Sequence, residues 1–353
     1  MMITTLLQSS AKSPRWARFA GLLVLLVVVL GLPWFVYPPV ALDIMAWALF
    51  AMALDLLLGY TGLLSFGHAA FWGGSAYATG YIATRTGLPF YVAILGGAMV
   101  AVLLALPVGY LSVRRTGIYF AMVTLAFAQL VYLVANQWRS VTGGENGLQA
   151  IPRNLFGLDL SDSFYFYYAA LPLILAGFFC AWRIVHSPFG RVLVSIRENP
   201  ARARALGYSV DRYKLLVFVL SAFLAGIAGG VFAVGHGFAS LQEVYWTTSG
   251  KVVIMTVLGG MGTLWGPALG AGIIVRLEDF LSTANIDANE LITGMIFIVT
   301  VLVFRKGIWG TIRDLVRRRT AAAPEDPADE DPPSQHDGRT PEAPASPSGT
   351  QTR

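Results

Sequence analysis

The sequence predicts an all-α fold, a polytopic transmembrane helix bundle of about ten spans, with some helices short or broken and a disordered C-terminal tail. Three observations predict it. Hydrophobic residues make up 56% of the 353 residues and charged residues only 13%, too little charge to cover the surface of a soluble domain of this length. The apolar residues come in blocks of span length rather than in the three-to-four-residue rhythm of half-buried helices. Lys and Arg gather in alternate connecting segments, as they do in the cytoplasmic loops of membrane proteins.

The apolar segments predict spans near 19–37, 40–58, 65–84, 90–112, 116–135, 165–184, 213–235, 251–265, 266–282 and 289–304. Lys12, Arg15 and Arg18 precede the first and give it the look of a signal peptide. Its apolar run is longer than an h-region, however, and continues into Leu32-Pro33-Trp34 with no small-residue cleavage site. Residues 1–18 are therefore expected to be a cytoplasmic N-terminus before an uncleaved span. The transmembrane domain then runs over 19–304, with two long connections at 136–164 and 185–212.

Charge sets the orientation. Basic residues lie before the first span, at Arg114 and Arg115, around the loop 185–212 (Arg183, Arg191, Arg197, Arg202, Arg204, Arg212, Lys214), and after the last span in 305–320. The loop 136–164 holds two arginines against three acids. All the basic clusters share one face only if an even number of spans separates them, which makes both termini cytoplasmic and 136–164 periplasmic. The weakest span is 251–265, where only Val252–Leu258 is cleanly apolar before Gly259, Gly260 and Gly262. A re-entrant loop there would reverse the parity and put 305–320 outside, so the segment reads as a short, broken crossing.

The tail 321–353 is rich in Pro, Asp, Glu and Ser and carries seven acids and two arginines. It has too little apolar surface to offset its ordering entropy and is expected to be disordered. The chain without it has a strong positive surplus. That surplus fits cytoplasmic loops facing membrane lipid rather than nucleic acid, since no basic run carries interleaved aromatics. A lone Cys180 excludes a disulfide framework and a cysteine metal site.

Enzyme classes fall away in turn. No G-x-x-x-x-G-K-[ST] is present; the nearest string, Thr248-Ser249-Gly250-Lys251, has Tyr245 at the first glycine position. H-E-x-x-H and G-x-S-x-G are missing and the four histidines are scattered. The chain is read as a non-enzyme with no metal and no cofactor.

Two segments have the composition of functional sites. In the stretch from Asp55 to His68, Gly59, Gly62 and Gly67 interrupt a hydrophobic run. It is either unwound backbone at membrane depth, where free N–H and C=O groups can hold a polar solute, or a cytoplasmic turn. Asp55, Gly59, Tyr60, Thr61, Gly62, Ser65, Gly67 and His68 are the candidate pathway residues, Asp55 and His68 because ionisable groups beside apolar spans are functional candidates. The second segment is Arg197-Glu198-Asn199-Pro200-Ala201-Arg202-Ala203-Arg204-Ala205-Leu206-Gly207. Asn199 suits an N-cap, Pro200 the first helical position, and Gly207 the C′ position. The helix between them is too short to stand alone. It either inserts its small face, with Ala201 and Ala205, into a partner's groove, or lies on the membrane held by its arginines. Small residues recurring every four positions (Ala222, Gly226, Gly230 and Gly262, Gly266, Gly270) predict close helix packing.

Five strings together resemble one family. They are Leu57–Ala70 (LLGYTGLLSFGHAA), Arg115–Ala126 (RTGIYFAMVTLA), Thr142–Leu148 (TGGENGL), Ser187–Val192 (SPFGRV) with Arg197–Gly207, and Val257–Pro267 (VLGGMGTLWGP). In that order they resemble the LivM-type half of the branched-chain amino acid permeases of ABC importers, over roughly 55–270. The resemblance implies a permease subunit in a bacterial inner membrane and substrates that are amino acids, branched-chain ones by default. It also implies a second related permease subunit, two cytoplasmic ABC ATPase subunits that hydrolyse the ATP, and a periplasmic substrate-binding protein. The Arg197–Gly207 segment would be the coupling helix that docks on an ATPase. The family usually has Asn at the position of Asp55. Permeases for urea, short amides or other amino acids share the scaffold. An ion-coupled secondary transporter is the rival class, and only Asp55 offers it a midmembrane acid.

Overall fold

The structure is a computed structural model and describes residues 27–155, 158–283, 294–295 and 307–310. The expected cytoplasmic N-terminus 1–18, most of the last span 289–304, most of the basic segment 305–320 and the whole tail 321–353 lie outside the described residues. Of the first expected span, residues 27–35 are described and helical.

The helix α1, Pro38–Thr61, is the centre of the bundle and carries buried residues on every side, Asp55 among them. A helix apolar all round belongs in a core or a membrane rather than at a water surface. Prolines at its first two positions start it, and Gly62 at φ 73° ends it, its N–H closing on the Leu57 carbonyl. Among the described residues four further helices are long and apolar enough to cross a membrane: α3 (Phe90–Ser112), α4 (Ile118–Gln137), α6 (Ser163–Val185) and α9 (Val210–His236), α2 being His68–Thr86 and α5 the single turn Arg139–Thr142. Two short helices, α7 (Pro188–Glu198) and α8 (Pro200–Ala205), fill the second long connection. The first holds a two-stranded antiparallel ribbon, β1 (Asn154–Leu155) with β2 (Leu158–Asp159).

The last described helices are α10 (Leu241–Val244), α11 (Trp246–Gly259) and α12 (Trp265–Thr283). The short span expected from Lys251 begins five residues earlier, at Trp246. Its 14 residues extend about 21 Å at 1.5 Å per residue, less than the roughly 30 Å of a hydrocarbon core. It runs alongside α1: Lys251 sits over the Trp47 ring, and the turn after Gly259 reaches Asp55. The helix α12 then returns, bringing Glu278 back to Lys251.

The expected small-residue faces hold on the helices, at Gly226, Gly230, Gly266 and Gly270, but Gly262 lies in the turn before α12 at φ 74° and serves that turn instead. A methyl group built on Gly229 would lie 2.2 Å from the Trp72 carbonyl oxygen, so α9 and α2 touch backbone to backbone there. Gly226 meets Ala98 and Ala101 of α3 in the same way, and Gly270 meets the Met255 carbonyl of α11. In lipid, where the hydrophobic effect does not drive helices together, such close contacts hold the bundle.

Candidate coupling site

The loop 185–212 folds by local rules. Ser187 caps α7 by accepting the Gly190 N–H at 3.4 Å, and Asn199 caps α8 by accepting the Arg202 N–H at 2.9 Å. A proline follows each cap, and Gly207 leaves α8 at φ 87°. Gly190, Leu193 and Ile196 form the buried side of α7. Ile196, Ala203 and Val210 make a small core joining α7, α8 and the start of α9. The helix α8 thus needs no outside partner to stay folded.

That packing sorts the expected coupling residues. Ala203 is buried inside the loop's own core. Glu198, Asn199, Pro200, Ala201, Arg202, Arg204, Ala205, Leu206 and Gly207 are exposed. Leu206 is 70% exposed, a large apolar side chain on an otherwise polar loop. Arg204 pairs with Asp211 at 3.4 Å, but both side chains are more than half exposed, so the pair holds little.

Arg197 joins this loop to the membrane core. Its Nη1 donates a hydrogen bond to the Gly59 carbonyl, in the last turn of α1. Gly62 and Gly262 lie against the same side chain, within 3.4 Å and 3.2 Å of it measured from an added Cβ. Four residues before Gly59, the fully buried Asp55 accepts the Gly262 N–H at 2.7 Å and the Leu264 N–H at 3.2 Å. The turn it clasps is unusual backbone, with Gly260, Gly262 and Leu264 all at positive φ. A non-glycine residue in that region costs energy that the surroundings must supply, and the two hydrogen bonds from the carboxyl group hold the turn in place. Asp55 therefore fastens α1 to the α11–α12 turn, and Arg197 fastens the α7–α8 loop to the same point.

The remaining pathway candidates divide. Tyr60 and Thr61 stay with this junction, Thr61 Oγ1 bonding back to the Leu57 carbonyl at 2.5 Å. Ser65, Gly67 and His68 lie elsewhere. The stretch between α1 and α2 is non-helical backbone packed inside the protein, not an open turn. The Phe66 N–H donates to Thr124 Oγ1 at 3.2 Å, Ser65 Oγ accepts the Gly67 N–H at 3.2 Å, and Ser65 is fully buried. His68 Nε2 meets Ser221 Oγ at 2.8 Å, and Ser221 gives its one hydroxyl hydrogen to the Ala53 carbonyl. His68 Nε2 must then be the donor, which fixes the tautomer by the network. Among the described residues no hydrogen bond joins His68 to Asp55.

Sequence reasoning missed two charged residues inside the bundle. Lys251 and Glu278 form an ion pair at 2.6 Å between α11 and α12. Their signal lies in the sequence, since a charge within an apolar span is itself a pointer to a site, and Lys251 and Glu278 both fall within expected spans, 251–265 and 266–282. At the other end of α1, Asp43 Oδ1 lies 2.7 Å from His236 Nε2 and ties the start of α1 to the end of α9.

A family profile described as branched-chain amino acid transport system / permease component matches residues 36–302. The high-affinity branched-chain amino acid transport system permease protein LivM of Salmonella typhimurium is 28% identical over 329 residues, 86% of this chain and 77% of its own. The LivM protein of Escherichia coli is 28% identical over 303 residues, 79% of this chain and 71% of its own. The autoinducer 2 import system permease protein LsrC of Klebsiella pneumoniae is 36% identical over 139 residues, 36% of this chain and 38% of its own. No solved structure matches. On the extent of the profile match, this chain belongs to the branched-chain amino acid permease family.

Proposed function

We propose that this chain is the membrane permease subunit of an ATP-driven ABC importer and carries branched-chain amino acids across a bacterial inner membrane. Family membership and the LivM relatives support the class and the substrate. One contact carries the mechanism: the hydrogen bond from Arg197 to the Gly59 carbonyl. The exposed face of α8 docks on an ATPase, and closure of the ATPase pair displaces the loop. Arg197 passes that displacement to the end of α1, and the Asp55 clasp passes it to the α11–α12 turn. Helices α1, α11 and α12 then move as one body, which is what opening a path beside them requires. The chain works with a second related permease, two cytoplasmic ATPase subunits and a periplasmic binding protein; hydrolysis belongs to the ATPases.

Proteoliposomes holding all subunits and the binding protein test this reading. Leucine uptake should require ATP and be lost when the ATPase subunits are left out. Uptake driven by an ion gradient without them would overturn it in favour of a secondary transporter. Competition by urea or a short amide, with none by isoleucine or valine, would reassign the substrate.

The orientation follows the charge distribution: about ten spans, both termini cytoplasmic, residues 136–164 periplasmic. The course of α11 from Trp47 to Asp55 supports counting it as a crossing, because its far end meets the Arg197 loop. A cysteine at position 140 (Ser140→Cys in a Cys180→Ser background) should react with a membrane-impermeant maleimide from the periplasm. Labelling only after the inner membrane is permeabilised would reverse the assignment.

A further inference from the structure

A cleft of about 510 Å³ opens between α1, α2, α9, α11 and α12, lined by Trp47, Trp72, Phe232, Trp246, Lys251 and Glu278 among others. That volume falls in the range of about 300–1,000 Å³ common for small-ligand sites. Its aromatic wall is continuous: Trp72 lies 5.0 Å from Trp47 and 5.2 Å from Phe232 between ring centroids. Three charged residues line it: Glu243, whose carboxylate is taken up by the Ser240 N–H and hydroxyl, and the pair Lys251 and Glu278, with Lys251 Nζ 2.6 Å from Glu278 Oε2 and 4.4 Å from the Trp47 ring centre. Both side chains of the pair are near 30% exposed, so a ligand can reach them, and parting them requires that the ligand supply each with a new counter-charge. The helix α11 begins in this wall with no side-chain cap on its first turn, and Trp246 and Thr247 of that turn line the cleft.

We infer that this cleft is a binding site for the amino acid zwitterion inside the permease, distinct from the coupling junction. The inference rests on the proposal that amino acids pass through this chain. The ligand's carboxylate takes the Lys251 ammonium and the N–H groups of Trp246 and Thr247 at the start of α11, where the helix dipole favours an anion; the Thr248 N–H is already given to the Tyr245 carbonyl. Its ammonium takes Glu278 and the face of Trp47, which Lys251 releases. The branched apolar side chain lies against Trp72 and Phe232. The resident ion pair is thus replaced by two pairs with the ligand, and neither Lys251 nor Glu278 is left without a counter-charge. An uncharged solute of the urea or amide class would leave that pair unused. A cation without a carboxylate, or an acid without an amine, would satisfy only half of it.

The test is photolabelling of the intact complex in nanodiscs with the diazirine analogue of leucine, without the binding protein, and with labelled peptides mapped by mass spectrometry. Labels should fall on the peptides of Trp47, Trp72 and Trp246. L-leucine should compete, while leucine methyl ester and isovalerate, each lacking one charge, should compete about tenfold less well, the cost of one charge-assisted hydrogen bond. Glu278→Gln should weaken labelling by about the same factor. The exchanged pair Lys251→Glu with Glu278→Lys keeps an ion pair between α11 and α12 but inverts the site, and should not restore labelling. Restoration by the exchange would make the pair a structural pin only. Equal competition by the ester or the acid would overturn the zwitterion site. Labelling that rises severalfold when phosphatidylethanolamine is left out of the nanodisc would assign the cleft to a lipid headgroup of the same charge pattern. ATP-dependent leucine uptake by a complex whose cleft is not labelled would sink this inference and leave the proposed function standing; absence of leucine uptake would sink the function itself.

Discussion

Replacing Asp55 by leucine is expected to abolish the assembled permease. The carboxyl group is the acceptor for two backbone N–H groups, those of Gly262 and Leu264, in a turn held at positive φ. Each buried N–H left unpaired costs about 1–3 kcal/mol; Asp55 and Leu264 are buried and Gly262 is partly so, so the Leu264 N–H would bear the larger loss. Asp55→Asn keeps one acceptor oxygen and turns a donor toward the other N–H, so it should lose about half of that stability and retain partial uptake. Gly59→Ala should be as damaging as the leucine variant for a steric reason. Its Cβ would sit 2.1 Å from Asp55 Oδ1 and 2.4 Å from the Gly262 nitrogen, and the second of these is backbone that cannot step aside. Thermal unfolding of the detergent-purified complex, followed by size-exclusion chromatography, ranks the variants. A leucine variant as stable as the parent would mean that Asp55 does not clasp the turn.

Leu206→Asp is expected to uncouple the importer while leaving the permease folded. Leu206 is 70% exposed and touches no core in the chain alone, so the substitution is near neutral for folding. In the docked complex the same aspartate would be an unpaired charge at a close contact, costing on the order of a few kcal/mol. ATPase copurification should fall and uptake should drop by more than about tenfold, with unchanged thermal stability of the permease pair. Ala203→Asp makes the contrast. Ala203 packs against Ile196 and Val210, so a charge there should loosen the loop itself and lower stability before docking is tested. Gly207→Pro belongs with the first kind of change in location but not in mechanism. It removes the N–H that bonds the Arg204 carbonyl at 2.9 Å and imposes φ near −65° where the chain has 87°. Full uptake by Leu206→Asp would make α8 a passive surface helix.

The features that the sequence determined by itself are local ones. Span-length apolar blocks mark α1, α3, α4, α6 and α9 because lipid demands long runs that satisfy their own backbone. Asn199, Pro200 and Gly207 mark α8 because caps and turns depend on residues within one helical turn of each other. The glycine and alanine repeats mark packing faces because a helix returns to the same side every four residues. Only the tertiary structure decided which of these features meet. Arg197 reaches Gly59 across 138 residues, and Asp55 reaches Gly262 across 207. Nothing in the neighbourhood of either residue encodes its partner. The break before His68 could be read as turn or buried backbone, since glycine permits both and only the arrival of Thr124 and Ser221 chooses between them. Lys251 and Glu278 were visible as isolated charges but not as a pair. A hairpin of two helices, closed by a turn that another helix holds, is what brings them to 2.6 Å.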